Sequence, residues 1–155
     1  MIDRRQFGLL LAAFASPPAF ATSRPAVTVH RSPTCGCCGA WANHLRRAGF
    51  PVTIVNEADM APVKSRAGVP DALQSCHTAF VEGYVIEGHV TLEAIEKLLA
   101  ERPQILGLAV PDMPVGSPGM EMPDTKPDPF SVMAFHKDGN PTVFVDYPNG
   151  YRRLA

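Results

Sequence analysis

Three of the four cysteines in this 155-residue chain fall within four positions, Cys35-Gly36-Cys37-Cys38, and the fourth, Cys76, stands well downstream. A cysteine thiolate is both a disulfide-exchange nucleophile and a soft-metal ligand. Cys35 and Cys38 form a C-x-x-C pair. In an exchange reaction Cys35 would be the nucleophile and Cys38 the resolving thiol. Cys37 in the second x position is unusual for a plain redox motif and puts three sulfurs on one turn. Four converging soft ligands suit Cu(I) or Zn. Zinc sites typically use separated C-x₂₋₄-C pairs, which this compact cluster matches less well. Thiolates bridge Cu(I) ions, so a small polynuclear cluster is within reach of this ligand set. The bland alternative is a structural disulfide pair, such as Cys35 or Cys38 to Cys76, with leftover thiols. Adjacent cysteines do not bridge without strain, so the cluster is poorly laid out as a staple.

Secondary candidates surround the cysteines. His77 follows Cys76, and His89 follows Gly88; either is a second ligand or proton donor, or an ordinary hydrogen-bonded histidine. Strand neighbours point to opposite faces, so Cys76 and His77 are not expected to share the site. Met113, Met120 and Met122 offer thioethers, which are soft Cu(I) ligands, or they are flexible apolar fillers pinning a loop. His30, His44 and His136 read as structural or surface residues, and Trp41 as core.

The elements that must position these groups follow from local pattern. Val27–His30 alternates as a first strand. A turn at Ser32-Pro33-Thr34 leads into the cysteines. Gly39–Ala48 reads as a helix with Trp41, Leu45 and Ala48 on its buried stripe. Gly49 and Pro51 end it. Pro51–Asn56 is a second strand, so the cysteines lie at the strand-to-helix junction of a β–α–β unit. The positive end of the helix there favours thiolate over thiol. Asp59–Ala67 is a short helix stopped by Gly68, with Pro62 in its first turn. Thr78–Val81 and Tyr84–Ile86 form a hairpin around Glu82-Gly83. Thr91 caps a helix to Glu101, buried through Leu92, Ile95, Leu98 and Leu99, with Glu93 and Lys97 paired at i,i+4. The order β-α-β-α-β-β-α predicts an α/β, thioredoxin-like core. In that fold the loop entering the third strand lies against the C-x-x-C, which brings Cys76 to the cluster.

Composition shifts after Leu108. Pro111–Pro129 holds six prolines in 19 residues, which excludes a regular helix or central strand. It predicts an ordered arm over the surface. Phe130–Phe135 and Thr142–Tyr147, joined through Asp138-Gly139-Asn140, predict a C-terminal β-hairpin. The arm and hairpin make residues 108–155 an extension of the core.

The N-terminus reads as an address. Asp3-Arg4-Arg5-Gln6-Phe7, an apolar run from Gly8 to Phe14 and Ala19-Phe20-Ala21 have the layout of a cleavable signal peptide over residues 1–21. The apolar run is shorter than the roughly 20 residues a membrane span needs. The paired arginines point to the twin-arginine route, with Asp3 where Ser or Thr is usual. Cleavage leaves 22–155 as one domain of 134 residues with 12 basic and 14 acidic side chains. Nothing in that charge balance points to nucleic acid, and no second apolar stretch predicts a membrane span.

Ser32-Pro33-Thr34-Cys35-Gly36-Cys37-Cys38-Gly39-Ala40-Trp41, Ser75-Cys76-His77-Thr78-Ala79, Gly83–Val90, Gly107–Pro114 and Gly116–Glu121 together resemble the CopG-like copper-resistance proteins. The resemblance spans nearly all of residues 22–155. It implies a periplasmic, thioredoxin-like protein linked to copper efflux systems and carriers. It also implies copper ligation by Cys35, Cys37, Cys38 and Cys76, and redox activity between copper and cysteine states. It makes the metal copper where spacing left zinc open. The leading expectation is a periplasmic Cu(I)-binding protein of copper resistance that cycles between disulfide and copper-loaded thiolate states. The alternative is a thiol–disulfide oxidoreductase using the C-x-x-C pair. A third is an adaptor that docks a partner through the Pro-Met arm.

Overall fold

The computed structural model describes residues 23–151. The expected signal peptide at 1–21 lies outside them. Eleven short elements follow one another. They are β1 (Val27–Arg31), α1 (Gly36–Arg47), β2 (Val52–Asn56), α2 (Ala61–Ala67), a 3₁₀ turn (Asp71–Leu73) and β3 (His77–Val81). Then come β4 (Tyr84–Glu87), α3 (Leu92–Glu101), β5 (Gly107–Ala109), β6 (Phe130–Phe135) and β7 (Thr142–Tyr147). The seven strands form one mixed sheet in the order β2-β1-β3-β4-β5-β6-β7. β1 runs parallel to β2, with Val27 opposite Val52, and antiparallel to β3, with Val29 opposite Ala79. The chain is therefore a mixed α/β protein, and no helix among the described residues is long and apolar enough to cross a membrane.

Most local signals perform as their chemistry dictates. The β3–β4 turn carries positive φ at both Glu82 and Gly83, the primed geometry that matches strand twist. Thr91 caps α3 by accepting a hydrogen bond from the Ala94 N–H. Pro62 sits in the first turn of α2, and Gly68 ends it in left-handed geometry.

Four expectations need correction. Helix α1 begins at Gly36, three residues earlier than its apolar stripe announces, so Cys37 and Cys38 lie inside its first turn and Cys35 is the N-cap. Ala48 is its half-buried C-cap; the buried face is Cys38, Trp41, Ala42 and Leu45. Glu93 and Lys97 do not serve each other: Glu93 accepts from the Tyr151 hydroxyl, and Lys97 lies over the Phe144 ring. Finally, β5 was not foreseen. Three residues, Gly-Leu-Ala, are too few to show alternation. Yet β5 pairs parallel to β4 and antiparallel to β6, and so joins the C-terminal hairpin to the main sheet.

The sheet separates two apolar clusters. One gathers Trp41 and Leu45 of α1 and Ala94, Ile95 and Leu98 of α3 with Val29, Ile86 and Leu108 of the strands. The other gathers Val69, Leu73, Val85, Ala109 and Phe135. Val85 and Ile86 fall in different clusters because successive strand residues face opposite sides.

Candidate metal centre

The β1–α1 junction sets the first three sulfurs. The Arg31 guanidinium at the end of β1 donates to the Cys35 carbonyl and holds the turn. Cys35 takes extended dihedrals, φ −75° and ψ 97°, as a helix N-cap does. One helical turn then carries Cys37 and Cys38. Trp41 anchors the helix from below: its ring is fully buried, and its indole N–H donates to the Val90 carbonyl at 2.9 Å.

Cys76 arrives on the loop that enters β3. The Sγ atoms of Cys35, Cys37, Cys38 and Cys76 all lie within 4.8 Å of one another. Cys35 and Cys38 are joined in a disulfide, and Cys37 and Cys76 are free thiols. The bland alternative of one disulfide with leftover thiols is met in its pattern, but the bridge does not run to Cys76. Cys37 Sγ lies 3.5 Å from Cys35 Sγ and 3.8 Å from Cys76 Sγ. Cys38 is buried, whereas the other three cysteines are partly open to solvent. Burial first, and then the neighbouring Cys37, push the Cys76 thiol up to about 12.

The expectation that His77 faces away from Cys76 is wrong. Cys76 precedes the first residue of β3, so strand alternation does not yet govern it. His77 Nδ1 lies 3.2 Å from Cys76 Sγ, and His89 Nε2 lies 3.1 Å from it. Cys76, His77 and His89 thus form a second group able to share a metal. The His89 tautomer follows from its other nitrogen. The Pro118 carbonyl is an acceptor 2.8 Å from Nδ1, so Nδ1 carries the proton and Nε2 turns a lone pair toward sulfur. Burial holds both imidazoles below the usual histidine range, with His89 a further cause for His77. His77 Nε2 is buried without a hydrogen-bond partner among the described residues, and its ring packs on Trp41 at 4.5 Å.

The proline-rich arm has no helix or strand between Pro111 and Pro129, as expected. It is fastened onto α1. Gly119 approaches so closely that an added Cβ would lie 2.8 Å from the Cys37 carbonyl oxygen and 2.8 Å from the Trp41 nitrogen. His44 pairs with Glu121 of the arm at 2.7 Å. Met120 lies between these two contacts in sequence. Met113 lines a surface cleft with Asp112, Asp128, Phe130 and Met133, and Met122 is exposed. His30 pairs with Glu57 and belongs to neither group able to share a metal.

Pattern alone missed a buried charge pair behind Cys76. Glu87 is fully buried and accepts from Lys64 Nζ, from the Ser75 N–H at 2.7 Å and from Thr78 Oγ1 at 2.7 Å. The only sequence signal was a glutamate ending an otherwise apolar strand.

Four sulfurs and two imidazoles gathered around a helix start form a cluster able to hold a soft metal, in a protein of mixed α/β architecture. Two solved structures of the copper resistance protein CopG resemble it. Form 1 is 49% identical with a TM-score of 0.76, over 81% of this chain and 98% of that one. Form 2 is 48% identical with a TM-score of 0.76, over 81% of this chain and 99% of that one. A family described as "Protein of unknown function, DUF411" matches residues 73–120. No curated protein matches. The chain belongs to the CopG family of copper resistance proteins.

Proposed function

We propose that this chain is a periplasmic copper-binding protein of copper resistance and homeostasis that takes Cu(I) on Cys35, Cys37, Cys38 and Cys76. The observation that carries the proposal is the convergence of four sulfurs within 4.8 Å. Soft thiolates select Cu(I), and their capacity to bridge fits a polynuclear cluster. His89, with its Nε2 lone pair aimed at Cys76, is the best placed additional donor. His77 is a second, and Met120, next to Gly119 where the arm meets α1, is the thioether we place nearest the helix; Met113 and Met122 suit hand-over of copper at the surface. The resident state cycles, with an external dithiol reductant supplying the two electrons and two protons that return the Cys35–Cys38 disulfide to thiols. With Cys35 and Cys38 reduced, all four sulfurs serve copper. When those two thiolates give one electron each to two Cu(II) ions, two Cu(I) ions and the Cys35–Cys38 disulfide result. Copper carriers or efflux components are the partners that such a hand-over would serve.

A thioredoxin-like core is supported by the parallel β1–β2 pair, the antiparallel β3 and β4, and the C-x-x-C at the start of α1. Export rests on the signal layout of residues 1–21, leaving 22–155 as the mature domain; N-terminal sequencing of the cell-envelope form tests the cleavage.

Anaerobic Cu(I) titration of the reduced protein against a competing chelator tests the site. Tight binding lost in Cys37→Ser and Cys76→Ser is expected, and binding no better than that of a simple dithiol refutes it. The Cys35–Cys38 disulfide favours one second reading, general thiol–disulfide exchange with Cys35 as nucleophile. Cys37→Ser separates the two, because exchange on a model disulfide would survive that change and the copper stoichiometry would not.

A further inference from the structure

The residues on either side of Cys76 are held more firmly than a surface loop requires. Ser75 precedes β3, so its N–H has no ladder partner; the buried Glu87 carboxylate accepts it at 2.7 Å. The Ser75 hydroxyl donates to the Asp112 carbonyl. Its Cβ fits only because Gly88 lacks a side chain, since a Cβ there would lie 2.5 Å from it. On the other side, the His77 carbonyl accepts from the Gly88 N–H at 2.9 Å. Glu87 and Gly88 thus fix both neighbours of Cys76, while its sulfur stays 3.8 Å from that of Cys37.

Stability alone does not call for this chemistry. A buried ion pair replaced by apolar residues of like volume is often neutral or stabilising. An apolar pair, however, has no acceptor for the Ser75 N–H. Lys64 in turn donates to both Glu87 and Thr78 and compensates the buried anion, keeping its oxygens available as acceptors.

We propose that Glu87, held by Lys64, is a positioning residue that sets where Cys76 presents its sulfur to Cys37. The proposal deepens the four-sulfur site and rests on it, but a metal-free readout tests it separately. In a Cys35→Ser/Cys38→Ser background, the remaining dithiol is oxidised by diamide: Cys37 and Cys76 give up two electrons and two protons, and one S–S bond forms. Peptide mass spectrometry follows the rate. Adding Glu87→Gln is expected to slow it by about tenfold, because the amide leaves Lys64 unpaired and cannot serve both Ser75 and Thr78 as acceptor. An unchanged rate in a folded variant overturns the proposal.

Where Glu87→Gln does not fold, Lys64→Leu/Glu87→Leu, which buries no unpaired charge, carries the same test. If neither folds, the pair is purely structural and the proposal falls. With all cysteines present, Glu87→Gln should weaken Cu(I) binding about tenfold, but less than about twofold once Cys76 is already Ser. Equal losses in both backgrounds would overturn action through Cys76. If the parent binds no Cu(I) beyond a dithiol, the copper proposal fails while the crosslinking rate still decides this one.

Discussion

Replacing Gly119 with Ala tests whether the proline-rich arm is packed onto the cysteine helix. Gly119 has φ +88°, and its missing Cβ would meet the Cys37 carbonyl oxygen, the Trp41 nitrogen and the Trp41 Cα at 2.8, 2.8 and 3.2 Å. These are backbone atoms of α1 and have no rotamer to escape into. The left-handed backbone costs an L-residue about 1 kcal/mol. Overpacking against a fixed neighbour adds about 1–3 kcal/mol, for a total of about 2–4 kcal/mol. Gly139→Ala supplies the control. Gly139 has φ +80° and nothing within 4 Å of its virtual Cβ, so it should show the backbone cost alone. Urea unfolding of the metal-free protein, followed by Trp41 fluorescence, gives both values from the midpoint at constant m. The arm should also loosen, releasing the Pro118 carbonyl from His89 and Glu121 from His44, with faster amide exchange across 114–122. A Gly119→Ala loss no greater than that of Gly139→Ala would refute the packing of the arm on the helix.

Three further outcomes follow from the same geometry. Trp41→Phe should cost about 2–4 kcal/mol in urea unfolding, because it leaves the Val90 carbonyl without its donor and opens a cavity under the site. Cys76 is protonated at neutral pH, so copper taking its sulfur must displace that proton. Apparent Cu(I) affinity should therefore rise with pH, and Cys76→Ser should release about one proton fewer in weakly buffered titration. His77 and His89 are both held below the ordinary histidine range by burial, so below about pH 6.5 the unfolded chain binds protons the folded one refuses. Stability of the metal-free protein should fall as pH drops from there, by up to about 1.4 kcal/mol per unit for each histidine, and level off below the folded-state values. A His77→Asn variant that kept the full slope would contradict this assignment.

Much of the architecture was legible because its causes are local. The alternation of Val27–His30, the Glu82-Gly83 turn, the Thr91 cap and the Gly68 stop each depend on residues a few positions apart, and each appears as expected. β5 escaped because three residues carry no period, and its existence depends on β4 and β6 lying either side of it. The early start of α1 escaped because its first turn, Gly36-Cys37-Cys38, carries chemistry rather than an apolar repeat.

The sequence by itself determined the donor set: three cysteines on one turn, a fourth beside a histidine, and a glycine-spaced second histidine, with thiolate chemistry that soft metals favour. Which sulfur lies beside which was decided only by the tertiary structure. Cys37 and Cys76 are 39 residues apart and meet because β1 pairs with β3. The β3–β4 pairing, with Thr78 opposite Glu87, brings His89 to Cys76, where His77 also points, against the expectation from strand alternation. It also buries Glu87 beneath the loop, where Lys64, 23 residues earlier, compensates its charge. Residue types and short spacings follow from local sterics and chemistry, whereas contacts between distant segments follow from strand order and from which side chains the sheet brings face to face.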